Sequence, residues 1–243
     1  MHQTAARTTS WPRLAISSGT IEAVKWLALV LMIGDHINKY LLNDTMPWLY
    51  SAGRLAMPLF MFVLAYNLAR PRALERGVYR RTMQRLAIFG ALASPAFLAL
   101  GGLLHGWWPL NILFTLFVLT ATLRLMEIGT LQGYISAVVV FVLGGCMVEF
   151  WWPAVAFGVG IWSYTKRPSL PALILAIASC AALGYMNGNQ WALAALLIMA
   201  AAPLVTLWCP RLRWFFYAFY PAHLALIWLA RIPLRHAGYL FFT

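Results

Sequence analysis

Charge is scarce in this sequence. Its 243 residues include 18 Lys or Arg and only 6 Asp or Glu, 10% of the chain, where a soluble domain carries about a quarter. Cysteine is nearly absent too. Cys146, Cys180 and Cys209 stand singly in or beside apolar segments, without CxxC or metal-ligand spacing, and are expected to be small buried hydrophobes. There is no Walker loop, GxSxG elbow, HExxH pair or dinucleotide fingerprint, which excludes the enzyme classes built on them. The polar–apolar alternation of a membrane β-barrel is missing as well.

Apolar residues are what the chain has, at 63%. Nearly every stretch of about 20 residues is apolar enough to cross a hydrocarbon core. The expected fold class is therefore all-α, a polytopic integral membrane bundle of about nine transmembrane helices. The spans are expected near 21–42, 54–69, 83–104, 109–125, 132–148, 151–164, 169–186, 190–208 and 214–231. Residues 1–20 read as a cytoplasmic tail, frayed or on the surface, and not as a cleaved signal peptide. Residues 21–243 read as one transmembrane domain.

Lys and Arg placement orients the bundle. With the N-terminus in the cytoplasm, 14 of the 18 fall inside, leaving Lys39, Arg54, Arg231 and Arg235 in the outer half. Trp and Tyr gather at the span ends, as interfacial residues do. The net charge of +12 thus reports topology and a lipid bilayer as partner, not nucleic acid.

Ionisable groups inside a span need a reason, since each costs about 2.5–3.5 kcal/mol even on the lenient insertion scale. The first span, KWLALVLMIGDHINKYLL, has the most pointed case. Lys25, Leu29, Met32, His36 and Lys39 share one helical stripe, with His36 roughly 9 Å below the outer end. Asp35 lies about 100° around the helix and faces a different partner, and Gly34 permits a close approach. A purely structural alternative pairs Asp35 with Lys39 at i,i+4, leaving His36 to bond a neighbouring helix.

Arg54 opens the second span at a similar depth, either as a snorkelling anchor or as a buried partner. Pro58 follows one turn later, where it kinks the helix. Asn111 opens the fourth span and Glu149 closes the fifth. His223 lies roughly 14 Å into the ninth, after Pro221. Singly these are interhelical hydrogen bonders; together with Asp35, His36 and Arg54 they suggest a polar cavity reached from outside. A bis-His haem held by His36 and His223 remains open. The loop RPRALERGVYRRTMQR holds six arginines, which suit a topogenic, lipid-contacting loop or a polyanion site.

The run Lys25-x2-Ala28-x3-Met32-x2-Asp35-His36, followed by Gly53 to Phe60 (GRLAMPLF), resembles the TraX family of F-pilin acetylation proteins. LNILFT in the fourth span and FYPAHL in the ninth are similar to it as well. Where the family pattern has an acidic residue, an aromatic and a glycine, this chain has Glu149-Phe150-Trp151. The resemblance covers residues 21–230 and implies a transmembrane acyltransferase with acetyl-CoA as co-substrate. The acceptor would be periplasmic, a pilin N-terminus or a glycan.

The expected catalytic set is His36, Asp35, Arg54, His223 and Asn111, and the expected acyl-CoA-binding set is Arg80, Arg81, Arg85 and Lys25. His36 either deprotonates the acceptor or is briefly acylated. Asp35 or His223 fixes its tautomer, and Arg54 or Asn111 steadies the oxyanion. The alternatives are a proton-coupled transporter or channel and a non-catalytic component of a pilus or secretion assembly. Homo-oligomerisation stays open.

Overall fold

The first helix, α1 (Ser18–Leu41), starts where Ser17 can cap it: the Ser17 hydroxyl accepts from the Thr20 N–H. The computed structural model describes residues 11–101 and 103–242. Residues 1–10 of the expected tail lie outside the described residues, but its remainder is tied down. The Tyr164 hydroxyl donates to the Pro12 carbonyl at 2.9 Å, and the Ile16 N–H donates to the Tyr66 hydroxyl at 2.9 Å.

The expected second span, 54–69, is α3 (Ala56–Leu68), and a separate helix, α2 (Pro47–Gly53), precedes it. Pro58 has no N–H for the Arg54 carbonyl and crowds it, so the anticipated kink becomes a break at Arg54 and Leu55. Then follow α4 (Val78–Leu100), α5 (Ile112–Ile128), α6 (Leu131–Gly145), α7 (Trp151–Lys166) and α8 (Leu170–Asn187). The region expected to be an eighth span holds only the short α9 (Ala194–Ala201) between single 3₁₀ turns. Beyond it residues 205–213 run without regular structure to α10 (Phe215–His236).

Residues 205–207 cross the start of α1. The Thr20 hydroxyl donates to the Val205 carbonyl at 2.9 Å and accepts from the Leu207 N–H at 3.1 Å. Gly19 is required beneath them, because a Cβ there would lie 2.0 Å from the Leu207 carbonyl oxygen.

The described residues are thus all-helical, with isolated bridges His105–Trp108 and Leu110–Val148 as the only β-pairing among them. Among the described residues, four stretches are long and apolar enough to cross a membrane: Pro47–Leu68, Val78–Leu100, Leu170–Asn187 and Phe215–His236. One buried cluster contains Leu59, Phe62, Leu119, Phe157 and Leu183. A second contains Leu29, Leu86, Phe97 and Leu224. The outward face of α6 exposes Ile135, Val138, Val142 and Leu143, the all-apolar surface a lipid-facing helix presents.

Candidate functional site

Residues of both clusters wall one cavity of about 730 Å³, within the range of small-molecule sites. The charged stripe of α1 runs along it: Lys25, Leu29, Met32, His36 and Lys39 all line it, as the helical spacing requires.

At one end α1 supplies Glu22 and Lys25. The turn before α4 brings Arg76, α4 brings Arg81 and Arg85, and the segment before α10 brings Arg211 and Arg213. Glu22 is 5% exposed. The Lys25 ammonium lies 2.5 Å from its carboxylate, yet the facing oxygen, Oε2, makes no hydrogen bond, so the contact is an off-axis ion pair. Arg211 is 3.6 Å from the other oxygen. The Arg85 guanidinium covers the Trp214 ring at 4.3 Å. Six cations thus face one acid, an excess that favours an anionic guest.

Roughly 16 Å further along α1, Asp35 and His36 take different partners. The Arg54 Nη2 donates to the Asp35 carboxylate at 2.5 Å. Arg54 therefore turns inward instead of snorkelling, and Asp35 pairs with it instead of with Lys39. Its Nε donates to the Tyr50 carbonyl at 3.2 Å, while Nη1 reaches the Asn187 amide oxygen only at 3.5 Å. Gly53 makes the pair reachable: a Cβ there would lie 2.4 Å from the Asp35 Cβ. The Gly-Arg order of the motif thus has a steric basis.

His36 Nδ1 meets His223 Nε2 at 2.7 Å. The ring planes differ by 6° with centroids 4.9 Å apart. That separation is close to the largest compatible with the nitrogen contact, so the rings lie edge to edge in one plane, the arrangement a linear N–H···N bond needs. There is no room for an iron between these two nitrogens, since two metal–nitrogen bonds of about 2 Å would hold them about 4 Å apart. Tyr40 and Tyr220 stand edge-on to His36 at 5.6 and 6.4 Å.

Glu149 also lines the cavity, from the turn between α6 and α7. Burial pushes its carboxyl up to about 7, opposed by Lys39 and by the Ile112 N–H. Phe150 and Trp151 follow it with φ of 62° and 48°. Position 151 thus has the left-handed backbone that glycine favours, which gives a physical meaning to the glycine this chain lacks there.

Three expected site residues do not line the cavity; His223 stands behind His36, and the other two fall elsewhere. Asn111 is fully buried and does not line the cavity. Its oxygen caps α5 by accepting from the Leu113 N–H at 3.1 Å, and its amide donates to the Gly90 carbonyl at 2.9 Å and to Ser94 at 3.2 Å. With both groups engaged it has no donor for an oxyanion, and it drops from the catalytic set. Arg80 is exposed and outside the cavity, because one helical step separates it from the Arg81–Arg85 face. Glu22, by contrast, is a site residue that spacing alone did not single out. Its signal was an acid at i−3 from Lys25 on an otherwise cationic side.

A family model described as TraX protein matches residues 20–231. Protein TraX of Escherichia coli is 32% identical over 159 residues, 65% of this chain and 58% of that protein. Protein TraX of Escherichia coli strain K12 is also 32% identical, over 64% of this chain and 58% of its own length. The matched region thus takes in little more than half the length of either relative. No solved structure matches. The motif pairs His36–His223 and Asp35–Arg54 meet inside the matched region, and the chain belongs to the TraX protein family.

Proposed function

We propose that the protein is a transmembrane acyltransferase that takes an acetyl group from cytoplasmic acetyl-CoA and passes it to an acceptor at the outer face of the bacterial inner membrane. The observation that carries this reading is that one cavity holds a cluster of cations at one end and His36, bonded to His223, further along it. The phosphates of CoA suit Lys25, Arg81 and Arg85, with Arg76, Arg211 and Arg213 beside them. The reading carries with it about nine spans, a cytoplasmic N-terminus and a basic end facing inward, in keeping with the Lys and Arg distribution.

The chemistry balances with groups at hand. His36 takes the proton of the acceptor amine or hydroxyl as the acceptor attacks the thioester carbonyl. The new C–N or C–O bond forms, the C–S bond breaks, and the thiolate leaves with the proton from His36. Arg54 holds Nη1 loosely enough to turn toward the developing oxyanion. The pilin role that the family resemblance implies makes a pilin N-terminus the first acceptor to try, and a glycan the second.

The test is transfer of radiolabelled acetyl from CoA to membrane extracts of the native host. His36→Ala should abolish transfer at matched expression, with acetyl-CoA binding kept. Normal transfer by a folded His36→Ala protein would overturn the mechanism. Uptake of a solute that depends on Asp35 and His36, without any transfer by the unaltered protein, would make it a transporter.

A further inference from the structure

The hydrogen bonds around the two histidines fix which nitrogen of His36 reacts. His223 Nδ1 lies 3.2 Å from the Phe219 carbonyl oxygen, one turn back on α10. A carbonyl oxygen only accepts, so Nδ1 of His223 carries a proton. A neutral imidazole has one ring proton, which leaves His223 Nε2 bare. The 2.7 Å contact at Nε2 therefore needs its proton from His36 Nδ1. His36, neutral in turn, has a bare Nε2. Among the described residues nothing bonds that nitrogen, and His36 lines the cavity.

From this chain of donors we infer that His223 is a positioning residue, which through the Phe219 carbonyl holds His36 in the Nδ1–H tautomer and offers Nε2 to the acceptor. The inference rests on the acyl-transfer reading for its kinetic consequence, but the tautomer itself does not. The Phe219 ring lies within 10° of the His223 plane at 5.2 Å and limits ring flipping, so the relay is held by packing as well as by hydrogen bonds. When His36 Nε2 takes the acceptor proton, the imidazolium keeps its Nδ1–H bond to the bare nitrogen of His223. That neutral acceptor supports the charge without carrying one of its own. Asp35 plays no part in this relay, being held by Arg54.

Two measurements on the full chain in lipid nanodiscs test this. The first is ¹⁵N NMR of protein labelled at histidine, with His36 and His223 assigned by loss of signal in single variants. Both rings should be protonated at Nδ1 and bare at Nε2. A His36 ring protonated at Nε2 overturns the inference, whatever the acyl-transfer assay shows. The second compares His223→Gln with His223→Leu. A glutamine oxygen sits near the place of the ring Nε2 and can still accept from His36 Nδ1, whereas leucine cannot. His223→Leu should lower kcat by about 10- to 100-fold with KM for acetyl-CoA unchanged, and His223→Gln should restore most of the loss. Equal losses in two folded variants would reduce His223 to a packing role. Absence of transfer in the unaltered protein would remove the acyl-transfer reading and leave the NMR result standing.

Discussion

Gly53 lies flat against the side chain of Asp35, so closely that one added carbon would sit 2.4 Å from the Asp35 Cβ. Gly53→Ala must therefore push α2 away from α1 or swing Asp35 out of reach of Arg54. Overpacking of this kind costs about 1–3 kcal/mol. The variant should melt earlier in detergent and lose most acyl transfer. Gly34→Ala is the matched control, since its Cβ would meet only the end of the Leu49 side chain at 3.0 Å. If the two variants melt alike, the steric account of the Gly-Arg motif is wrong.

The Asp35–Arg54 pair is largely enclosed, with side chains 14% and 13% exposed. Removing one partner leaves the other as an uncompensated charge, at about 3–5 kcal/mol. Asp35→Asn and Arg54→Gln should each destabilise strongly, and the double variant should cost clearly less than the two together. A double-mutant cycle of thermal stability in detergent measures this. Strict additivity would mean that the two side chains do not act as a pair.

At the basic end the prediction is one of contrast. Arg81→Gln, Arg85→Gln and Arg211→Gln remove charges that face the cavity, whereas Arg80→Gln removes one that does not. Titration calorimetry with acetyl-CoA should show affinity falling by about tenfold for each charge-assisted hydrogen bond removed. The salt dependence of binding should flatten in step. Arg80→Gln should leave both unchanged. A fall in affinity on Arg80→Gln alone would place the anion on the outer face of α4.

Glu149 supplies a pH signature. Its carboxyl, pushed up to about 7 by burial, keeps its proton in the folded protein where the unfolded chain has already lost it. The folded state therefore binds more protons between about pH 4.5 and 7, and stability falls as pH rises through that window. Thermal melts should shift to lower temperature from pH 5 to pH 8 in the unaltered protein, and Glu149→Gln should remove that part of the shift. A melting profile that Glu149→Gln leaves unchanged would show that the carboxyl is well hydrated.

Much of this site could be read from spacing. The stripe of α1 was legible because residues three and four apart in a helix share a face whatever the tertiary structure. The separation of Asp35 from His36 followed from the same geometry. The partners of those residues were only half legible. His223 stood out because an ionisable group at mid-membrane depth is costly, but nothing local says that it bonds His36 and not a neighbouring helix. Asn111 shows the opposite failure: depth marks it as functional, while its oxygen caps α5 locally and its amide is taken up by Gly90 and Ser94 of another helix, which no local pattern shows. The separate α2 and the short α9 are not legible because hydropathy is blind to where a helix ends, and because Pro58 parts α2 from α3 where a kink is expected. Arg80 and Arg81 are adjacent in sequence and differ only in the side of α4 they occupy, a distinction the loop's charge count cannot make.

On the proposed reading, the shape of the cavity has a consequence for how a group would cross the membrane. Between its basic end and His36 the walls include Leu29, Met32, Phe60, Leu86 and Leu116, an oily sleeve that a slender thioester arm fits better than a hydrated ion does. A carrier that alternates between two faces must swing its substrate site through large rearrangements at each cycle. On the proposed reading this bundle has no such need, because the cargo is two carbons and the vehicle is a change of covalent partner. The nucleotide stays where it bound and the acceptor stays where it arrived. The leak that any such passage threatens, of protons down their gradient, is then limited by how dry the sleeve remains when no arm fills it.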